Sequence, residues 1–288
     1  MNMKSKNWFN AAGIVWPILV DAAARRITIT YEEVAPLIST NPLSVRLALS
    51  PIQDFCLENH LPPLTVLVVG KTSKKPGGGF IAWDADDLPA ANEAVFSFAW
   101  KGITNPYGAF DLSDTPVTLA NRILTDPAAP LEVFSKVKVR SVAHAIFRIA
   151  LRKAYDNKCA ICRFSFGCAL DAAHIVPWHK SNHSQRMDPR NGLLLCASHH
   201  RLFDAGLITL DESLNIFYYD AEMSDGLYSE TDSNLTGHWH GKRAHLPADE
   251  HLHPSVEFLR QHHAMLKWEI NATFNEATTK GLDKFYIW

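Results

Sequence analysis

Two short pairs of metal-binding residue types constrain this chain more than any other feature. They are Cys159-Ala-Ile-Cys162 and Cys196-Ala-Ser-His199. A single Cys-x-x-Cys pair is weak evidence, because redox sites and coincidence also produce it. Two pairs with this separation supply four donors that can close a tetrahedron around Zn²⁺. The sequence therefore predicts a structural zinc site in preference to four unmetallated core residues.

The segment between the two pairs predicts a pair of strands followed by a helix. Residues 170–177 are read as a strand, residues 179–190 as a polar loop, and residues 193–195 as a second strand. A short helix is expected to begin near Ala197 and to end at Leu202 or Asp204. Strand, strand and helix around a metal-ligand set is a ββα-metal outline.

Three further polar residues lie in or beside this segment, at His174, Asn191 and His200. Successive residues of a helix point about 100° apart, so His199 and His200 cannot easily bind the same ion. We expect His199 to complete the zinc site and His200 to face the opposite side of the helix.

Composition limits the partners and the compartment. The net charge of −2 at pH 7 gives no global positive field, so any contact with nucleic acid must come from local patches. The five cysteines do not form a disulfide framework and fit a reducing cytosol. No run approaches the roughly 18 apolar residues of a membrane span, and residues 1–7 are polar, unlike a signal peptide. We expect a cytoplasmic protein without a membrane segment.

The first part of the chain predicts three helices followed by a β-hairpin. The helices are expected at residues 9–25, 31–38 and 41–59, and the second begins with a capping box formed by Thr30 and Glu33. Residues 65–69 and 80–83 are predicted to pair across a turn rich in Gly, Pro and Lys. This order is that of a winged helix, a common reader of double-stranded DNA.

Basic residues in two places are predicted to contact DNA. One group lies at the hairpin tip and at the start of the third helix, and the other lies on a helix predicted at residues 140–157. The simpler alternative is that the lysines at the hairpin tip only keep this exposed loop hydrated and do not bind DNA. The six predicted DNA-binding residues are Arg46, Lys71, Lys74, Lys75, Arg148 and Arg152.

These patterns together predict an α+β protein with two domains. We expect a winged-helix-like DNA-targeting domain at residues 1–110, a linker at 111–137, a metal-containing nuclease domain at 138–270 and a tail at 271–288.

Residues 138–265 resemble the HNH endonuclease family, and most closely a subgroup with an Ala-Ala-His-Ile motif that is associated with restriction and phage defence. Many spaced positions agree, so coincidence is a poor explanation. The matching segments are Ala172 to Trp178, Arg190 to Cys196, His199 to Gly206, Phe147-Arg148, Tyr155 to Cys159, Leu246-Pro247 and His253-Pro254.

The resemblance implies roles for four residues. His174 would be the general base that takes a proton from the attacking water, and Asn191 would brace the loop that positions it. His200 would hold a catalytic Mg²⁺ or Mn²⁺ ion. Asp204 would be a further ligand or would orient His200.

One position departs from the family pattern. Many members have an acidic metal ligand directly before the base, and this chain has Ala173 there. Asp171 is an odd number of residues from His174, so on a regular strand it points to the other face and is not assigned to the ion.

The sequence therefore predicts a metal-dependent DNA endonuclease that acts in bacterial restriction or anti-phage defence, with DNA and other defence proteins as partners. The alternative is a non-catalytic, zinc-containing DNA-binding regulator, which the alanine at position 173 favours. A zinc-dependent nucleobase deaminase is set aside, because no His-x-Glu motif precedes the cysteines.

Overall fold

The structure is a computed structural model that describes residues 6–137, 139–220, 229–271 and 276–279. The chain divides into two compact units. Unit 1 comprises residues 1–119 and 135–144, and unit 2 comprises residues 120–134 and 145–288. The end of the predicted tail, residues 280–288, lies outside the described residues.

Unit 1 begins with helices close to the predicted ones. Asn7 caps the first helix through hydrogen bonds from Phe9 N and Asn10 N, and the Thr30–Glu33 capping box is present. The elements of this region are α1 (Trp8–Ala24), β1 (Ile29–Thr30), α2 (Tyr31–Leu37), α3 (Arg46–Glu58), β2 (Val68–Val69) and α4 (Leu88–Ser97).

The core of unit 1 lies mainly between α1 and α3. Trp16 of α1 packs edge-on against Phe55 of α3, with ring centroids 5.4 Å apart, and against Trp100 at 5.9 Å. Leu19 and Ile52 are fully buried beside them. Burial of such side chains is worth about 1.5–3 kcal/mol each, so this interface stabilises the helix pair.

The predicted β-hairpin is wrong, and the structure does not show a winged helix. Residues Leu64–Leu67 form a 3₁₀ helix, and the short strand β2 that follows pairs with β1 in parallel. Residues 80–83 form no strand. Instead, the side-chain amide of Gln53 donates to Gly79 O and accepts from Ile81 N. The run at 64–69 is buried throughout, and a buried apolar run does not distinguish a strand from a helical turn.

Most of the segment predicted as a linker is helical. It contains α5 (Pro116–Thr125) and α6 (Ala129–Lys136). The next helix, α7 (Arg140–Ala154), follows the predicted helix closely. Its first two N–H groups, those of Arg140 and Ser141, donate to the carboxylate of Glu58, which satisfies the exposed donors of a helix start.

Unit 2 contains the predicted strand, strand and helix. Strands β3 (Leu170–His174) and β4 (Gly192–Cys196) pair antiparallel, with Leu170 opposite Cys196 and His174 opposite Gly192. Helix α8 (Ala197–Asp204) follows β4 directly. A Cβ atom on Gly192 would lie 2.6 Å from Phe147 and 2.5 Å from Leu151, so glycine lets α7 approach the strand end.

The rest of unit 2 surrounds this motif. Apolar residues of α7, the two strands, α8 and the following hairpin form one buried cluster. The elements are β5 (Ile208–Leu210), β6 (Ile216–Tyr218), α9 (Glu230–Leu235), α10 (Val256–Leu266), β7 (Trp268–Asn271) and β8 (Glu276–Thr279). Among the described residues, no helix has the length and apolar character that crossing a bilayer requires.

Candidate metal centres and active site

The two Cys/His pairs meet because a tight turn lies against the end of the β3–β4 hairpin. In the turn, Cys159 N donates to Phe164 O at 2.9 Å and Ala160 N donates to Leu194 O at 2.7 Å. Cys196 is the residue before α8, and His199 lies in the first turn of that helix. A strand end and a helix start thus supply one pair, and a hydrogen-bonded turn supplies the other.

The four donor atoms are close enough to share one ion. All lie within 4.8 Å of one another. Cys162 Sγ is 3.8 Å from Cys196 Sγ, and His199 Nδ1 is 3.6 Å from Cys159 Sγ and 3.1 Å from Cys196 Sγ. Tetrahedral zinc, with bonds of about 2.3 Å to sulfur and 2.0 Å to nitrogen, separates its donors by roughly 3.5–3.8 Å. Cys159, Cys162, Cys196 and His199 could therefore hold a metal ion such as zinc.

The tautomer of His199 also fits metal binding. Its Nε2 lies 2.9 Å from Leu235 O. Because a carbonyl oxygen only accepts, Nε2 carries the hydrogen and Nδ1 presents its lone pair toward the thiols. A backbone partner of this kind fixes the orientation of many metal-bound imidazoles. Leu235 at the end of α9 is a supporting residue that the sequence spacing did not indicate.

Crowding of the thiols perturbs their acidity. Hydrogen bonding with Cys162 and Cys196 raises the pKa of Cys159 far above that of an ordinary thiol. Hydrogen bonds from Cys159 and Cys162 lower the pKa of Cys196. Three sulfurs at this spacing cannot all become anionic without a nearby cation, which is what a metal ion supplies.

His174 ends β3 in a defined orientation. Its ring stacks on Phe147 of α7 at a centroid distance of 4.1 Å and meets Trp178 edge-on at 5.8 Å. Its Nε2 lies 3.0 Å from Arg186 O. Nε2 must therefore carry the hydrogen, and in the neutral ring Nδ1 is the nitrogen that can accept a proton.

Asn191 is fully buried and organises the loop between the strands. Its Oδ1 accepts from Val176 N at 2.8 Å, and its Nδ2 donates to Gln185 O at 3.0 Å and to Ser181 Oγ at 3.2 Å. Its own carbonyl accepts from Ile175 N. One side chain thus ties both ends of the loop that follows His174.

His200 lies between two carboxylates. Its Nδ1 is 3.4 Å from Asp171 of β3, and its Nε2 is 3.4 Å from Asp204, one helical turn further along α8. Asp171 shares a strand face with Ala173, and that face meets α8. Asp171 was not assigned to the ion from the sequence, because on a regular strand it points away from His174; the side chain that it contacts instead is His200. Asp171 lies two residues before Ala173 on the same strand, so it shares the face on which many family members carry the acidic ligand. That spacing could have indicated its position near His200.

The predicted DNA-binding residues lie in different settings. In unit 1, Arg46 begins α3, and the lysines at 71, 74 and 75 are exposed in the turn after β2. Hydrogen bonds from Thr30 lower the pKa of the Glu33 carboxyl, and the charges of Lys74 and Lys71 lower it further. In unit 2, Arg148 donates to Leu170 O, and Arg152 donates to Gly167 O and Asn157 Oδ1.

Comparison with known proteins finds a family match for the part of the chain that holds the Cys/His cluster and His174, Asn191 and His200. No curated protein matches the chain. The family model described as HNH endonuclease matches residues 159–211, which run from the first thiol of the cluster to beyond Asp204. The chain thus carries an HNH endonuclease domain in residues 159–211.

Proposed function

We propose that this protein is a metal-dependent DNA endonuclease in which His174 acts as the general base. The main support is the contact between His174 Nε2 and Arg186 O within a segment that matches a nuclease family. This contact leaves the lone pair of the neutral ring on Nδ1. In its neutral form, the imidazole can accept the proton of an attacking water.

In this proposal, Asn191 maintains the geometry of the base without touching the substrate. The loop that it ties together contains Arg186, whose carbonyl orients the imidazole. Its amide satisfies buried backbone groups at both ends of the loop, so its loss would leave several of them without partners.

His200 and Asp171 are the residues that would hold the catalytic cation. Nitrogen and carboxylate oxygen donors suit Mg²⁺ or Mn²⁺, and such an ion stabilises negative charge on the phosphate and the departing oxygen. One imidazole nitrogen binds an ion while the other donates to a carboxylate. We assign the ion to the Nδ1 side, with Asp171, because this carboxylate shares a strand face with Ala173, where many family members have an acidic ligand. Asp204 then orients the ring from Nε2.

Asp171 thereby replaces the acid that is missing at position 173. Residues two apart on a strand share a face, so moving the carboxylate back by two positions keeps it next to α8. The Cys/His cluster has a separate, structural role in this proposal, because it uses four protein ligands and leaves no position for substrate.

The biological setting that we propose is bacterial restriction or anti-phage defence, in the cytoplasm. Exposed basic residues of the N-terminal unit, Arg46 and the lysines at 71, 74 and 75, would contribute to DNA contact. A single site of this kind cuts one strand per engagement, so cutting both strands would need a second copy or rebinding.

A non-catalytic DNA-binding regulator is the second candidate. The observation that favours it is Ala173, which is buried where many family members have an acidic ligand.

Incubation of supercoiled plasmid with Mg²⁺ or Mn²⁺ separates the two candidates. We expect nicking by the wild-type protein and a loss of about 10²–10⁴-fold in rate for His174→Ala. His179→Ala removes an exposed histidine nearby and is the matched control, with no change expected. An intact plasmid with both ions supports the regulator, and equal nicking by His174→Ala excludes the assigned base. Parallel reactions on modified and unmodified plasmid test the restriction role.

A further inference from the structure

Arg186 connects to the proposed base through its main chain and its side chain. Its carbonyl oxygen accepts from His174 Nε2 at 3.0 Å. Its Nε donates to Trp178 O at 3.1 Å, so the side chain turns back toward the residue that meets the imidazole edge-on.

Two aromatic rings hold the guanidinium of Arg186. Its central carbon lies 5.1 Å from the Trp178 ring centroid and 5.5 Å from that of Phe134. Since the Trp178 ring is 5.8 Å from His174, the cation is separated from the imidazole by a single ring. Cation–π contacts and the bond to a carbonyl restrict a side chain that would otherwise sample many rotamers.

The guanidinium of Arg186 has no acidic partner among the described residues, in contrast to that of Arg190. Within residues 6–137, 139–220 and 229–271, no carboxylate pairs with it, whereas Arg190 in the same loop binds both oxygens of Asp188. Of its five N–H donors, only Nε has an assigned acceptor in that part of the chain. A half-buried cation with donors to spare is suited to an anionic ligand.

We propose that Arg186 binds a phosphate of the DNA strand that is cut, next to the proposed base. This inference rests on the proposed endonuclease function and adds a substrate-binding residue to it. The planar guanidinium matches two phosphate oxygens, and the rings hold it in that orientation. Arg186 then links the two partners of the reaction, because its carbonyl orients the imidazole and its side chain positions the phosphodiester.

The simpler explanation is that Arg186 only pins the loop to α6 through Phe134. That role predicts a lower unfolding temperature for a variant, with unchanged DNA affinity per folded molecule. A phosphate contact instead contributes one released counterion to binding, which a salt titration measures directly.

The test uses the full chain with His174→Ala, so that DNA remains intact, and measures Kd for a fluorescein-labelled duplex at several KCl concentrations. Arg186→Met should weaken binding by about 10-fold and reduce the slope of log K against log salt by about 1. Arg186→Lys should keep most of the slope and recover part of the affinity. Lys180→Met removes the same charge from an exposed position in the same loop and should change Kd by less than about twofold.

Each outcome decides between the explanations. Equal losses for Arg186→Met and Lys180→Met would overturn the inference, because the effect would be general electrostatics. An unchanged Kd and slope with a lower unfolding temperature would leave only the loop-pinning role. If the parent protein binds no DNA while it is folded, the proposed function fails as well, and the parent titration alone reveals that failure.

Discussion

Two neighbouring histidines of α8 lie in opposite environments. His199 is fully buried, with Nδ1 toward the thiols and Nε2 bonded to Leu235 O. His200 keeps 28% of its side chain exposed and lies between Asp171 and Asp204, which are 43% and 60% exposed. The helix turns one residue toward the interior of the domain and the next toward solvent.

The difference indicates what each site can do. Four protein donors around a buried point leave no place for a substrate, so an ion there can only hold the chain together. An imidazole with two partly exposed carboxylates leaves room for substrate and water. Under the proposed function, the sulfur-rich site would hold zinc and the oxygen-rich site would hold Mg²⁺ or Mn²⁺, because soft and hard donors favour different metals.

The largest expected effect is loss of fold on disruption of the buried site. Cys196→Ser should abolish retention of one zinc ion and unfold much of unit 2, because structural zinc contributes apparent binding energies of about 10–16 kcal/mol in small zinc domains. Native mass spectrometry and circular dichroism measure the two consequences.

Cys168→Ser is the matched control, since Cys168 is exposed and outside the cluster. It should retain zinc and fold normally. A folded Cys196→Ser protein without metal would contradict a structural role for the ion. The Cys/His cluster could then no longer be contrasted with the open His200 site as the one that holds the fold together.

A smaller effect, a loss of metal affinity at the open His200 site alone, is expected from substitution of its two carboxylates. Asp171→Asn removes the assigned ligand and should weaken Mn²⁺ binding, measured by electron paramagnetic resonance, by more than roughly 100-fold. Asp204→Asn changes only the group that orients His200 and should cost about 10-fold. Zinc content should be unchanged in both variants.

A larger loss of Mn²⁺ affinity for Asp204→Asn than for Asp171→Asn would indicate that the ion binds on the Nε2 side of His200. Loss of zinc from either variant would show that the Cys/His cluster and the His200 site are not independent. Because the readout is metal affinity, these outcomes hold whether or not the protein cuts DNA.

The sequence predicted the metal cluster better than it predicted unit 1, and the reason is physical. A tetrahedral ion requires particular donors at particular spacings, so the order of residues along the chain was enough to group Cys159, Cys162, Cys196 and His199. The family resemblance at residues 159–211 is confirmed for the same kind of reason, because its motif fixes residue types at defined positions.

The hairpin in unit 1 was inferred from weaker evidence. Residues 64–69 are buried throughout and all but Thr65 are apolar, and that pattern carries no period to separate a strand from a 3₁₀ turn. The partner that fixes residues 79–81 is the buried amide of Gln53, a long-range contact without a local signal. Asp171 was missed for a related reason, since its partner His200 lies on a different element.

The smallest effect concerns a third histidine that supports α8 from its apolar side. His262 stacks on Phe203 at 4.3 Å, and burial lowers its pKa to about 3. The unfolded chain takes up a proton near pH 6.5 and the native protein does not, so the free energy of unfolding should fall as the pH drops below about 6.5.

Acid also releases zinc, because protons compete for the ligands, and burial lowers the pKa of His263 as well, so loss of stability at low pH has several sources. His262→Gln removes only one of them. Its urea unfolding curves should show a smaller decrease between pH 7.5 and 5.5 than those of the wild type, by up to about 1.4 kcal/mol per pH unit. His179→Gln, at an exposed position, should leave the decrease unchanged. If His262→Gln is as acid-sensitive as the wild type while zinc is lost over the same pH range, His262 is not a source of the sensitivity. Zinc release from the Cys/His cluster would then destabilise α8 more than protonation of the histidine packed on Phe203.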